Sequence, residues 1–194
     1  AATQPSHGEQ RLLSNVRQLV FAGRRSGEGY FSADGRTMAF QSEREPGNPF
    51  FQIYLMDMAS GRTQRVSPGV GKATCAWIHP SGDRVMFSST HEDPQSAERQ
   101  RQELDRRGTG KKRRYSWDYD ENFEIYSWHR HSGQLTRLSI ARGYDAEGCY
   151  SPDGRHIVFA SNRHAYIEAM PQADAEKFEL DKSSQMDLYI MNAD

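Results

Sequence analysis

Short apolar runs alternate with clusters of turn formers along the chain, and the same order of runs returns three times. Met38-Ala39-Phe40, Val85-Met86-Phe87 and Ile157-Val158-Phe159 follow glycines at 35, 82 and 154. Each glycine closes a turn-forming run: Ser32-Ala33-Asp34, His79-Pro80-Ser81 or Ser151-Pro152-Asp153. Asp-Gly and Ser-Gly between β-rich runs predict tight hairpins, because glycine takes the positive φ that such turns demand. A second run recurs later in each unit, as QIYLMD (52–57), EIYSWH (124–129) and DLYIMN (187–192). A third, SGRTQRVS (60–67) and SGQLTRLS (132–139), supplies a further turn and strand. Each unit therefore predicts four short strands, A to D. Strand B is apolar on both faces, as in sheets covered on both sides. Such units, stacked face to face at a period of about 45 residues, describe an all-β fold, a β-propeller of four-stranded antiparallel blades.

Three blades are present after an N-terminal tail at 1–14: blade 1 at about 27–67, blade 2 at about 73–139 and blade 3 at about 145–194. The span from anchor glycine to strand-C tyrosine lengthens from Gly35–Tyr54 to Gly82–Tyr126 and Gly154–Tyr189. Blades 2 and 3 thus carry insertions, at 91–116 and 164–185, between strands B and C. Loops there emerge beside the inter-blade connections, so both decorate one face, the candidate functional face. Residues 17–21, RQLVF, match strand D at 135–139, which predicts a last D strand displaced to the front for ring closure. Three blades cannot close, since the usual range is four to eight. The chain is expected to be half of a six-bladed ring, completed by the remaining blades of a longer chain or by a second copy in a homodimer.

Composition changes this picture little. A hydrophobic fraction of 36% is low, but nine Phe, nine Tyr and three Trp argue against disorder. A net charge of −1 gives no global pull toward nucleic acid or anionic membrane. No apolar run approaches the roughly 18 residues of a membrane span. The KKRR run at 111–114 is balanced by acidic residues directly after it, so no nucleic-acid partner is expected. The opening AATQPSHGEQ reads as the mature end of an exported protein. Cys75 and Cys149 form no CxxC and, by strand parity, do not face each other, which predicts free, mostly buried thiols.

GEGYFSADGRTMAFQSE, YDAEGCYSPDGRHIVFASNR and DLYIMNAD resemble the TolB-like, WD-repeat-related β-propellers of bacterial periplasmic proteins. The resemblance covers about residues 15–194 apart from the insertions. It implies a usually six-bladed, exported, non-catalytic domain that binds protein or peptide partners, with some members fused to hydrolase domains. The sequence departs in lacking half the ring and in having His91 where the family's Arg would sit. On this basis the chain is expected to be a periplasmic or secreted, non-enzymatic scaffold that binds a protein or peptide on the insertion face. The alternative is the propeller part of a hydrolase, or a propeller lyase acting on acidic oligosaccharide.

Arg44, His91 and Arg163 share one position, the end of strand B on the insertion face. They read either as a cationic ring at the channel mouth, able to hold a carboxylate or phosphate, or as braces between blades. Glu28 and Glu147 are equivalent in the innermost strand A, where they would meet a ligand or pair with those arginines. These five residues form the expected channel-mouth binding set. In DYDENFE (118–124), Asp118, Asp120 and Asn122 follow EF-hand spacing, but Phe123 replaces the required Gly and the Glu at position 12 is missing. No cofactor is expected, with a looser calcium site there as the alternative to a solvated acidic loop. The first insertion predicts a helix from an Asp93 N-cap and Pro94 to Gly108, solvated nearly all round because Leu104 is its only large apolar residue. The second carries Tyr166, Ile167, Met170, Phe178 and Leu180, enough apolar surface to dock. HRH at 129–131 reads as a solvated turn. The sequence contains no GxSxG elbow, HExxH or P-loop.

Overall fold

In the computed structural model, which describes residues 12–110 and 117–194, each anchor glycine sits in its turn with positive φ: 69° at Gly35, 77° at Gly82 and 73° at Gly154. The flanking side chains close the same turns. In blade 1 the Ser32 hydroxyl accepts from the Thr37 amide at 3.0 Å; in blade 3 the Ser151 hydroxyl accepts from His156 at 3.0 Å. Blade 1 is an antiparallel sheet of β1 (Arg25–Phe31), β2 (Thr37–Glu43), β3 (Gln52–Asp57) and β4 (Thr63–Arg65). Blade 2 repeats it with β5 (Ala73–Ile78), β6 (Arg84–Ser89), β7 (Glu124–His129) and β8 (Leu135–Arg137), and helix α1 (Ser96–Gly108) between β6 and β7. Blade 3 has β9 (Ala146–Tyr150), β10 (His156–Ser161) and β11 (Asp187–Asn192). Two short helices, α2 (His164–Ile167) and α3 (Gln172–Leu180), and a 3₁₀ turn (Lys182–Gln185) lie between β10 and β11.

Period-two alternation makes each middle strand two-faced, and the faces build the seams. Ala39, Ile53 and Leu55 of blade 1 meet Val85, Phe87 and Tyr126 of blade 2. Met86 and Ile125, on the opposite face of blade 2, meet Ile157 and Phe159 of blade 3. The other face of blade 1, Met38, Phe40, Tyr54 and Met56, is covered by Leu19 and Val20. Val158, Leu188 and Ile190, on the other face of blade 3, are exposed.

Residues 17–21 form no strand, contrary to the sequence pattern. A strand exists only through its ladder, and this segment pairs with no edge of the described sheets. It contributes by apolar burial instead, through Leu19 and Val20. Helix α1 ends at Gly108 as the sequence predicts but starts at Ser96, because Asp93 closes a preceding turn by accepting from the Gln95 amide at 2.9 Å. Nor is α1 solvated all round. It docks through polar groups: the Gln100 side-chain oxygen accepts from the Gly71 amide at 2.7 Å, and buried Ser96 donates to the Thr90 carbonyl at 2.5 Å. The second insertion docks partly as expected, with Phe178 buried against Tyr166, whereas Ile167 and Leu180 stay exposed. The KKRR run lies outside the described residues.

Candidate ligand cavity on the insertion face

Strand A of every blade is broken at one equivalent residue. Glu28, Cys75 and Glu147 have φ of 50°, 53° and 58°, a left-handed conformation costly to residues with a Cβ. Each sits where the A–B register slips, between Gly27 and Tyr30, between Thr74 and Trp77, and between Ala146 and Cys149. The bulges bring the three side chains into one electrostatic neighbourhood. Burial, then the charge of Glu28, pushes the Glu147 carboxyl up. The same two causes, in the same order, push the Cys75 thiol up to about 12. Glu28 does not pair with an arginine: its carboxylate accepts from the Gln41 amide nitrogen at 3.0 Å, and Gln41 in turn accepts from Thr74 at 2.8 Å. No ion pair involves Glu28 or Glu147 among the described residues. Cys75 and Cys149 are free thiols.

Arg44, His91 and Arg163 also occupy equivalent places, each folded back on its own blade. Arg44 Nε and His91 Nδ1 contact the hydroxyls of Ser42 and Ser89 at 2.8 and 3.0 Å, and Arg163 Nε donates to Ser161 at 3.3 Å. Arg44 and Arg163 lie against the ring pair that strands B and C present, and His91 against the strand-C ring. Arg44 is 5.2 and 4.8 Å from the Phe40 and Tyr54 centroids, and Arg163 5.0 and 5.2 Å from Phe159 and Tyr189. The His91 ring is 4.3 Å from Tyr126. Arg163 is further tied to fully buried Asp145. These contacts lie within a blade, not across a seam.

A cavity of about 790 Å³ opens on the insertion face, where the starts of the A strands meet α1. One wall is ionic. Glu43, nearly buried at the end of β2, accepts from Arg25 Nε at 2.8 Å and from Arg107 of α1, with Arg24 at 3.8 Å. Arg107 and Arg106 share Glu103 at 2.7 and 2.6 Å, and Arg106 holds its carboxyl down at about 2. Four guanidinium groups thus crowd two carboxylates. The cavity is also lined by aromatic rings, Phe50, Phe51, Trp117 and Tyr144. Arg25 lies 4.3 Å over the Phe51 ring, and Trp117 Nε1 donates to the Tyr144 hydroxyl at 2.9 Å. Lys72 completes the rim; its ammonium contacts Asp118 and Asp120 at 2.6 and 2.7 Å. Asp120 also binds Arg99 at 3.2 Å, so the acids with EF-hand spacing face protein cations.

Of the five expected channel-mouth residues only Glu28 lines this cavity, and Asp118 of the acidic run lines it too. Arg24, Arg25, Glu43, Phe51 and Arg107 escaped notice because they are not repeated between blades. One signal was available. Arg25, Lys72 and Tyr144 each lie three residues before a bulge residue, and all three line the cavity. His129 and His131 lie apart from it, with rings 5.9 Å from each other.

No protein-family profile matches the chain. Over 179 residues, 87% of its length, it is 26% identical to the uncharacterized peptidase YuxL of Bacillus subtilis. Over 104 residues, 50% of its length, it is 26% identical to dipeptidyl-peptidase 5 of Porphyromonas gingivalis. It spans 24% and 15% of these relatives' own lengths. Among solved structures, a TolB from Agrobacterium tumefaciens superposes on 69% of the chain and 38% of its own, at 20% identity and a TM-score of 0.49. The tricorn protease superposes on 77% of the chain and 12% of its own, at 9% identity and a TM-score of 0.50. These likenesses correct the expectation of a non-enzymatic protein, because both curated relatives are named as peptidases. The chain carries a propeller-like fold of repeated antiparallel sheets, and its sequence is similar to that of proteins named as peptidases.

Proposed function

We propose that this chain is the propeller part of a peptide hydrolase. The similarity to a named peptidase along 87% of the chain carries this reading. The TolB-like repeat alone would serve a scaffold equally well, since a fold hosts many functions. The cavity supports the choice: its volume falls within the roughly 300–1,000 Å³ of ligand clefts, and it joins aromatic walls to a few aimed polar groups. In this reading the insertion face meets the peptide and orients it for bond cleavage elsewhere in the protein. Glu28 then meets the ligand with Glu147 near it, while Arg44, His91 and Arg163 each cap the rings of their own blade outside the cavity. The ring has six blades, the remainder belonging to a longer chain, with a homodimer as the other way to close it. The chain needs no cofactor for this task, and its place is the periplasm or the exterior. Among the described residues no helix is long and apolar enough to cross a membrane. The test is the hydrolysis of a mixed pool of short peptides by the native, full-length protein that carries this segment, with products identified by mass. Turnover is the expected result. A folded full-length protein that leaves the whole pool uncut would overturn the reading.

A further inference from the structure

We infer that the cavity on the insertion face recognises the C-terminal residue of a short peptide, with Arg24 and Arg25 taking the terminal carboxylate and Phe50, Phe51 and Trp117 taking an apolar side chain. The inference draws its ligand class from the hydrolase reading, but binding is measured without turnover, so each can fail alone. Charge supplies the first half. Glu43 and Glu103 are shared among four guanidinium groups, and Arg107 spends nitrogens on both. Arg25 reaches Glu43 through Nε, and Arg24 stands 3.8 Å from it with its side chain 67% exposed. Two cations at the mouth therefore keep donor nitrogens for an incoming anion, in the fork geometry that suits a carboxylate.

Apolar surface supplies the second half. Phe51 lies directly under the Arg25 guanidinium, with Phe50 and Trp117 on the same cavity. A ligand that fills this corner must present an anion and an apolar group a few ångströms apart. An aspartate or glutamate side chain offers only the anion. The last residue of a peptide carries both on one Cα. Lys72 does not compete for the carboxylate, because Asp118 and Asp120 already hold it.

The test is calorimetric titration of the 194-residue chain with acetyl-Ala-Ala-Phe, its C-terminal amide, and acetyl-Ala-Ala-Asp-amide. Acetylation removes the ammonium group, so only the terminus and the side chain vary. The free acid should bind about tenfold tighter than either amide, the usual size of a charge-assisted hydrogen bond lost. Arg25→Gln should bring the acid down to the level of its amide while leaving the amide's own binding unchanged. If Arg25→Gln lowers the melting temperature, Arg24→Gln decides, because its partner is distant and its side chain exposed. Equal binding of acid and amide would overturn the inference. So would absence of binding, preference for the aspartyl amide, or stronger displacement by inorganic phosphate than by acetate.

Discussion

Phe40, Phe87 and Phe159 fill one position in three blades, yet their surroundings differ, and that difference is measurable. Phe87 is fully buried in the seam between blades 1 and 2, among Ala39, Ile53 and Leu55, with the Tyr126 ring centroid 6.4 Å away. Both walls of that seam are hydrogen-bonded sheet, so neither can close over a missing ring. Phe87→Ala loses about 1.5–3 kcal/mol of transfer free energy. An unrelaxed void adds about 24 cal/mol per Å³, for a total of about 3–5 kcal/mol. Phe40 is almost as buried, at 2% exposure, but its outer wall is Leu19 and Val20 in a segment without a ladder. That segment can settle inward, which leaves mainly the transfer loss of about 1.5–3 kcal/mol. With a urea slope of about 2 kcal/mol per molar, Phe87→Ala should lower the midpoint by roughly 1.5–2.5 M and Phe40→Ala by about half as much. Equal shifts, or a larger one for Phe40→Ala, would show that the N-terminal segment is as stiff as a neighbouring blade and would refute the reasoning.

Gly154→Ala places a Cβ 2.3 Å from His79 Nε2 at a φ of +73°. It should cost about 1–3 kcal/mol by urea unfolding, and part of that should return in a His79→Ala background. Glu147 has its pKa raised by burial and then by Glu28, so folding favours its protonated form and its contribution falls as pH rises above the ordinary carboxylate range. Glu147→Gln should therefore raise the urea midpoint at pH 7 and change little below about pH 4, whereas an equal gain at both pH values would contradict this. Glu103 is the opposite case. Its pKa is lowered to about 2, so its contribution is complete above the ordinary range and is lost as pH falls toward that value. Hydrogen-exchange protection over Ser96–Gly108, taken relative to the intrinsic rate at each pH, should fall across that window in the wild type and be low throughout in the Glu103→Gln variant.

The blades were legible in the sequence because their signals are local. A glycine at positive φ, its flanking serine and aspartate, and an apolar strand with two faces fit within about ten residues, and strand identity follows from them. Helix α1 lies between β6 and β7, and α2 and α3 lie between β10 and β11. The cavity was not legible. It joins Arg25 to Phe51 and Arg107, residues far apart in sequence that meet only when α1 lies across blades 1 and 2. Helix α1 docks by hydrogen bonds and ion pairs, and hydrophobic periodicity is silent about polar docking. RQLVF misled for a related reason: it has the pattern of a strand, but a strand needs a partner edge as well as a pattern. The repeated Arg44, His91 and Arg163 stood out because they recur, and recurrence reports what each blade needs from itself, here a cap over its aromatic rings.

The left-handed residue in each innermost strand has a further consequence, for solubility. β1, β5 and β9 are the edges of their sheets, and an uninterrupted edge strand is a template to which a stray chain can add. A bulge at Glu28, Cys75 or Glu147 turns the backbone out of register midway, so an intruding strand finds only two or three consecutive donors and acceptors on either side. Two of the three interruptions also present a carboxylate, which an incoming apolar strand would have to desolvate. Conformational strain in these edge strands thus acts as protection against amyloid-like growth.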